Sequence, residues 1–153
     1  RRCADLGVRV AYHPHGGTYV EHPDEIHRLM ADTDPARVSL CLDTGHIAFG
    51  GGDPVEMCRR YRDRVGLVHL KDIDLGRLRA CVEAGQDYVE AARRGVFVEL
   101  GRGSVDVPAM IRELRAAGYD GWVVVEQDRV VAPGEDTLAS ALHNREYLRS
   151  LGL

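Results

Sequence analysis

The sequence lacks several features that would assign the chain to particular protein classes. Its four cysteines are scattered, with no Cys-x-x-Cys pair, which favours reduced thiols in a cytoplasmic protein over a disulfide framework. No apolar run approaches the roughly 18 residues that a membrane span needs, and the opening residues do not read as a signal peptide. The net charge of −4 gives no reason to expect nucleic acid or an acidic membrane surface as a partner.

Common nucleotide-binding and hydrolase motifs are also missing. Gly101-Arg102-Gly103 is too short for a dinucleotide fingerprint, and Gly50–Gly52 is not followed by the Lys-Ser/Thr of a phosphate loop. No Gly-x-Ser-x-Gly element is present. The sequence therefore gives no support to these three kinds of site.

What the chain does contain is four apolar runs, each followed by a residue type that binds metals. Near-continuous apolar runs are typical of strands that are buried on both faces of a parallel sheet. The runs are Val8–Tyr12, Val38–Leu42, Gly66–Val68 and Trp122–Val125, and the polar residues at their ends are His13 and His15, Asp43 with His46, His69, and Glu126. Since successive parallel strands end at the same rim of a sheet, these side chains are expected to lie together, as active-site residues do in a β/α barrel.

Helical patterns alternate with these runs, which predicts four βα units and a parallel α/β fold. The predicted helices cover residues 23–31, 53–63, 75–94, 107–117 and 136–150. A complete (β/α)₈ TIM barrel needs about 250 residues, so we expect the C-terminal half of one, with residues 1–153 as a single domain. The chain begins without methionine, and we expect the N-terminal half to be missing. An open doubly wound sheet is the alternative.

The carboxylates and the lysine at the strand ends suggest a catalytic metal centre. Asp43 directly after an apolar strand is costly to bury unless a partner such as a divalent cation compensates it, although it could instead cap the following turn. His69 and Lys71 share one face of their strand, and Lys71 either faces substrate or forms a salt bridge. Glu126 is a metal ligand, a general base or both, unless it turns to solvent.

The two histidines after the first strand alternate with period two, so His13 and His15 face the same side if the strand continues through Pro14. In that case one histidine is a metal ligand and the other lies beside the metal site. If the strand ends earlier, both histidines belong to a polar loop. A ligand set of histidine and carboxylate without thiolate suits Mn, Co, Mg, Fe or Zn as a divalent metal ion. We expect Asp128 to lie outside the ligand set and Asp106 to cap the next helix.

Three stretches resemble the xylose isomerase-like TIM-barrel family, which includes sugar isomerases, sugar epimerases and inosose dehydratases. They are Leu42-Asp43-Thr44-Gly45-His46, Val68-His69-Leu70-Lys71-Asp72 and the segment from Gly118 to Glu126. Within the family, Tyr12-His13-Pro14-His15, Gly51-Gly52-Asp53-Pro54 and Gly95-Val96-Phe97 look most like the inosose dehydratase branch. The resemblance covers nearly the whole chain but only the second half of the family's barrel.

The resemblance implies that Asp43, His69 and Glu126 bind the metal, and we place His13 with them. It also implies that His46 and Lys71 contact substrate; we add His15 to that surface and expect Glu126, His46 and Lys71 to act in catalysis. Many family members have a glutamate where this chain has His13. Because the epimerases use two opposed glutamates, this departure favours dehydration over symmetric epimerisation.

The leading hypothesis is a metal-dependent isomerase or dehydratase that removes the proton α to the carbonyl of a sugar or cyclic polyol. One alternative is a phosphodiesterase like the apurinic endonucleases, which need several zinc ions and a basic surface; the net charge of −4 disfavours it. Another is a non-catalytic half-barrel fragment, whose open edges would invite pairing with another chain. The sequence is also compatible with a homo-oligomer.

Overall fold

The structure, a computed structural model, describes residues 2–132 and 134–153. Within these residues the chain alternates strands and helices in the predicted order. The strands are β1 (Val10–Tyr12), β2 (Val38–Asp43), β3 (Val65–Leu70), β4 (Asp72–Ile73), β5 (Phe97–Val98) and β6 (Val123–Val125). The α-helices are α1 (Arg2–Asp5), α2 (Pro23–Asp32), α3 (Thr44–Phe49), α4 (Pro54–Tyr61), α5 (Leu75–Glu83), α6 (Tyr88–Arg93), α7 (Val107–Ala116) and α8 (Thr137–Ser150).

Four strands form one parallel sheet in the order β1-β2-β3-β6. Its central strands β2 and β3 are mostly apolar, and Leu40, Leu42, Val68 and Leu70 are completely buried. Burial on both faces explains why these strands read as continuous apolar runs in the sequence. The predicted parallel α/β fold is confirmed, and the sheet has half the strands of a complete β/α barrel.

Helix starts follow the capping rules. The Asp53 carboxylate accepts a hydrogen bond from the backbone N–H of Val55 (2.8 Å) at the start of α4, and the Asp106 carboxylate accepts one from Ala109 (2.8 Å) in α7. Both caps satisfy backbone donors that the first helical turn leaves unpaired. The predicted capping role of Asp106 is confirmed.

The predicted single helix over residues 75–94 is wrong. Helix α5 ends at Glu83, the chain turns through Gly85 with φ of 65°, and α6 begins at Tyr88. Glycine adopts this left-handed conformation without steric penalty, and the Asp87 carboxylate caps the new helix by accepting from Glu90 N–H (2.9 Å). The break brings Tyr88 to the strand-end rim.

Two features of the fold have no periodic signal in the sequence. The first is helix α3, which begins directly after β2 in place of a loop. The second is a small antiparallel sheet in which β4 pairs with β5. The buried carboxylate of Asp72 organises the second feature, since it accepts hydrogen bonds from the backbone N–H groups of Gly101, Gly103 and Val105 at 2.9–3.0 Å. The loop after β5 is thereby fixed beside the rim.

Both edges of the parallel sheet are open within the described residues. Strand β1 begins at Val10, two residues later than predicted, and at the other edge Trp122 is 81% exposed. A groove of about 520 Å³ runs between β6 and α8. In residues 2–132 and 134–153, no helix is both long and apolar enough to span a membrane.

Candidate metal centre

The carboxyl ends of the four parallel strands bring the predicted ligands together. His13 follows β1 directly, Asp43 is the last residue of β2, His69 lies near the end of β3, and Glu126 follows β6. Asp43 and His69 are register partners across the β2–β3 pair, so their side chains start from adjacent positions. One ligand atom from each of the four residues lies within 4.8 Å of all the others.

The Asp43 carboxylate is the centre of this cluster and is completely buried. Its Oδ2 atom lies 3.3 Å from His13 Nε2 and 3.3 Å from His69 Nδ1. His69 Nδ1 in turn lies 3.1 Å from Glu126 Oε2. The four side chains therefore converge on one small volume.

Two buried atoms of this cluster, His69 Nδ1 and Glu126 Oε2, make no contact with full hydrogen-bond geometry among the residues that the structure describes. They lie 3.1 Å from each other, and Glu126 Oε2 lies 2.9 Å from the Lys71 ammonium, so ion-pair contacts satisfy them only in part. A divalent cation bound by two imidazoles and two carboxylates would satisfy both atoms, and this donor set suits a first-row transition metal or Mg²⁺. The residues present fit a metal ion.

Asp43 also fills the alternative role that the sequence left open. Its Oδ1 atom accepts a hydrogen bond from the backbone N–H of His46 (2.9 Å) and caps α3, while Oδ2 faces the cluster. Burial alone would raise the pKa of the Asp43 carboxyl. The imidazoles of His13 and His69 and the charge of Lys71 outweigh burial and hold this pKa well below its usual range. The same contact raises the pKa of His69, because the Asp43 carboxylate favours the imidazolium form.

Lys71 is completely buried and lies beside the cluster. Its Nζ atom is 2.9 Å from Glu126 Oε2 and 2.9 Å from Asp128 Oδ2, with Asp43 Oδ2 at 3.3 Å. Burial would lower the pKa of Lys71, but the surrounding carboxylates raise it above its usual value. Of the two alternatives that the sequence left open, the structure shows the salt-bridged lysine, and a contact of Lys71 with substrate stays a prediction.

The aromatic side of the site is formed by His15, His46 and Tyr88. The rings of His15 and His46 have centroids 3.7 Å apart, and Tyr88 lies 5.0 Å from His15. Burial lowers the pKa of His46, although the neighbouring Asp128 carboxylate acts in the opposite direction. The structure therefore places the three residues predicted to contact substrate, His15, His46 and Lys71, next to the predicted ligands.

Asp128 belongs to the site more closely than the sequence indicates. Its Oδ2 atom accepts hydrogen bonds from Lys71 Nζ and from the Tyr88 hydroxyl and lies 3.3 Å from His46 Nε2. Burial raises the pKa of Asp128, but these partners together lower it well below the usual range. Asp128 lies outside the four-residue ligand cluster, as expected, but it joins a second group of ligand-type atoms with His15 and His46.

Two curated relatives match most of the chain. The inosose dehydratase of Geobacillus kaustophilus is 44% identical over 132 residues, which cover 85% of this chain and 43% of that protein. The rhizopine catabolism protein MocC of Rhizobium meliloti is 44% identical over 128 residues, covering 84% of this chain and 39% of that protein. The chain spans less than half the length of both relatives.

The fold also matches known barrel structures. The structure of the IOLI protein with a bound zinc atom superposes with a TM-score of 0.70 at 16% identity, covering 97% of this chain and 50% of that one. A family model described as xylose isomerase-like TIM barrel matches residues 1–151. The chain belongs to the xylose isomerase-like TIM-barrel family.

Proposed function

We propose that the chain carries the metal centre of a lyase or isomerase that acts on a keto-polyol or sugar, most like inosose dehydratase. The observation that carries the proposal is the convergence of His13, Asp43, His69 and Glu126, each of which contributes one ligand atom within 4.8 Å of the others. Relatives named as inosose dehydratase and a zinc-containing structure of the same fold support it.

The four converging residues would hold one divalent ion. When bound, the metal supplies Lewis-acid polarisation of a substrate carbonyl and its neighbouring hydroxyl. Mixed imidazole and carboxylate ligands are compatible with Mn, Co, Mg, Fe or Zn, so the donor set does not select among them.

Glu126 is the proposed base that removes the proton α to the carbonyl. It is the most exposed of the four ligands, with 40% of its side chain accessible, against none for Asp43. Its contacts to His69 and Lys71 run through Oε2, so Oε1 can accept a proton. A carboxylate in this position can serve as a ligand and as a general base.

Lys71 and His46 would stabilise the charge that develops on the substrate oxygen. The ammonium is held at the rim by Asp43, Glu126 and Asp128 and is preorganised to face an anionic oxygen. His46 Nε2 lies 2.8 Å from the ammonium, and its imidazole can exchange a proton with the neighbouring substrate hydroxyl.

Proton abstraction is shared by dehydration and isomerisation, and the next step separates them. Loss of a β-hydroxyl gives dehydration, whereas reprotonation of the adjacent carbon gives isomerisation. A second glutamate opposite Glu126 would support proton exchange on both faces of a carbon. The resemblance to the family implies that many members have this glutamate at the position of His13, and its absence supports dehydration.

The test is turnover by the chain after removal of metal and reconstitution with Mn²⁺ or Co²⁺. We expect loss of water from an inosose, restored by metal, and strongly reduced turnover in Glu126→Gln. Glu99→Gln is the matched control, since Glu99 is a partly buried carboxylate that bonds Ser140 outside the cluster. Failure to dehydrate an inosose or isomerise any sugar tested, with metal bound, would sink the proposal.

A further inference from the structure

Lys71 is the only lysine in a chain that has 19 arginines, and it is completely buried. Its ammonium nitrogen is surrounded by four atoms of kinds that bind metals. They are His46 Nε2 at 2.8 Å, Asp128 Oδ2 and Glu126 Oε2 at 2.9 Å each, and Asp43 Oδ2 at 3.3 Å. An ammonium is a compact point charge that suits this position, whereas the planar fork of arginine does not.

The lysine is fixed in this position by the backbone around it. The Thr44 hydroxyl accepts a hydrogen bond from Lys71 N–H (2.9 Å) and donates one to Lys71 C=O (2.7 Å). The stem of the side chain passes directly over Gly45, where a Cβ atom would lie only 2.5 Å from Lys71 Cγ. The ammonium is therefore directed to the centre of the four atoms.

A second group of possible metal ligands, His15, His46 and Asp128, includes two of the four neighbours of the ammonium. Their ligand atoms lie within 4.8 Å of one another. His46 Nε2 lies 2.8 Å from the Lys71 ammonium and 3.3 Å from Asp128 Oδ2, while His46 Nδ1 accepts a hydrogen bond from the backbone N–H of Gly16 (3.3 Å). Binding of a metal at Nε2 would require the imidazole proton to move to Nδ1 and this long contact with Gly16 to open. His15 Nδ1 lies 2.8 Å from Gly16 C=O and donates to it, so His15 Nε2 keeps its own lone pair. Two imidazoles and one carboxylate form a ligand set that divalent transition metals accept.

We propose that the ammonium of Lys71 occupies the position of a second metal ion and limits the centre to one. Removing it opens a second metal site at His15, His46 and Asp128. Glu126 and Asp43 contact both the ammonium and the first ligand cluster, so the two positions share these carboxylates. The inference rests on the proposed function for the first metal ion.

A lysine in the place of a second metal ion also affects which type of reaction the site can catalyse. Two-metal centres stabilise both the attacking and the leaving oxygen of a displacement at phosphorus. An ammonium carries a single charge and donates hydrogen bonds, which suits an oxygen that gains negative charge when an α-proton leaves. Lys71 thus favours proton-transfer chemistry over a phosphodiesterase reaction.

The test is metal stoichiometry, measured by elemental analysis and calorimetric titration with Mn²⁺, Co²⁺ and Zn²⁺. We expect one ion per chain in the unmodified protein, two in Lys71→Ala, and one again in Lys71→Ala combined with Asp128→Asn. Asp128→Asn alone should leave one ion bound. In the Co²⁺ form, Lys71→Ala should also show magnetic coupling between two ions in its electron paramagnetic resonance spectrum.

Lys71→Ser is the second variant, since its hydroxyl can hold water in the vacated space if the alanine variant does not fold. Two ions in the unmodified chain, or only one in the folded Lys71 variants at saturating metal, would overturn the inference. If the unmodified chain binds one ion but has no activity, the proposed reaction is contradicted. The number of ions bound by the Lys71 variants still tests the role of Lys71. A chain that binds no metal contradicts both.

Discussion

Asp43→Asn separates the metal-binding role of Asp43 from its role in folding. Asparagine caps helices as well as aspartate does, so the hydrogen bond from His46 N–H to the Oδ1 position is kept. The amide at the Oδ2 position can neither bind a metal nor pair with Lys71. Breaking a buried ion pair costs about 3–5 kcal/mol. Lys71 keeps its ion pairs with Glu126 and Asp128 in this variant. We therefore expect the free energy of unfolding of the metal-free protein to fall by about 2 kcal/mol, which is less than the cost of leaving a buried charge unpaired.

Urea unfolding with and without Mn²⁺ measures both effects. At a free metal concentration of about 100 times Kd, metal binding should raise the free energy of unfolding of the unmodified chain by about 2.7 kcal/mol. In Asp43→Asn the same metal concentration should raise the free energy of unfolding by no more than about 0.4 kcal/mol. This is the stabilisation expected when the free metal concentration only equals the Kd of the variant. Asp53→Asn is the matched control, because it makes the same change at the cap of α4 outside the site and should retain the full gain. Equal metal stabilisation of Asp43→Asn and the unmodified chain would refute the assignment of Asp43 as a ligand.

Three further predictions concern the surroundings of the site. Gly45→Ala should destabilise the chain by about 1–3 kcal/mol in urea unfolding, because its Cβ would overlap the stem of Lys71; a gain, as helix propensity alone predicts, would contradict the described packing. Asp72→Asn should cost about 2–4 kcal/mol, since its amide cannot accept from all the backbone N–H groups that the carboxylate satisfies; an unchanged unfolding midpoint would contradict that role. The open edge strand β6 predicts that the chain self-associates in analytical ultracentrifugation and that Val124→Lys reduces this association; a monomeric unmodified chain, or equal association of the variant, would contradict pairing through this edge.

The fold and the ligand positions were predictable because one pattern encodes both. Continuous apolar runs identify buried parallel strands, and the residue that ends each run must lie at the common rim. His13, Asp43, His69 and Glu126 could therefore be brought together from the sequence without knowledge of any distance. Their roles remain predictions that the metal-binding experiments decide.

What the sequence did not reveal depends on contacts between distant segments. Asp128 follows the last strand in a stretch without periodicity, and only the fold brings it to Lys71, 57 positions earlier. Tyr88 reaches the site because Gly85 ends α5 early, whereas the helical spacing of the apolar residues continues through that position. Asp72 stands next to Lys71 in the sequence, but its backbone partners lie 29 to 33 residues away.

The most direct test of the account is anomalous diffraction from crystals of the chain soaked with Zn²⁺. We predict one anomalous peak per chain, coordinated by His13, Asp43, His69 and Glu126, with the Lys71 ammonium still in contact with Asp128. A peak among His15, His46 and Asp128 instead, or no ordered peak at saturating zinc, would contradict the central claim that the four strand ends form the metal centre.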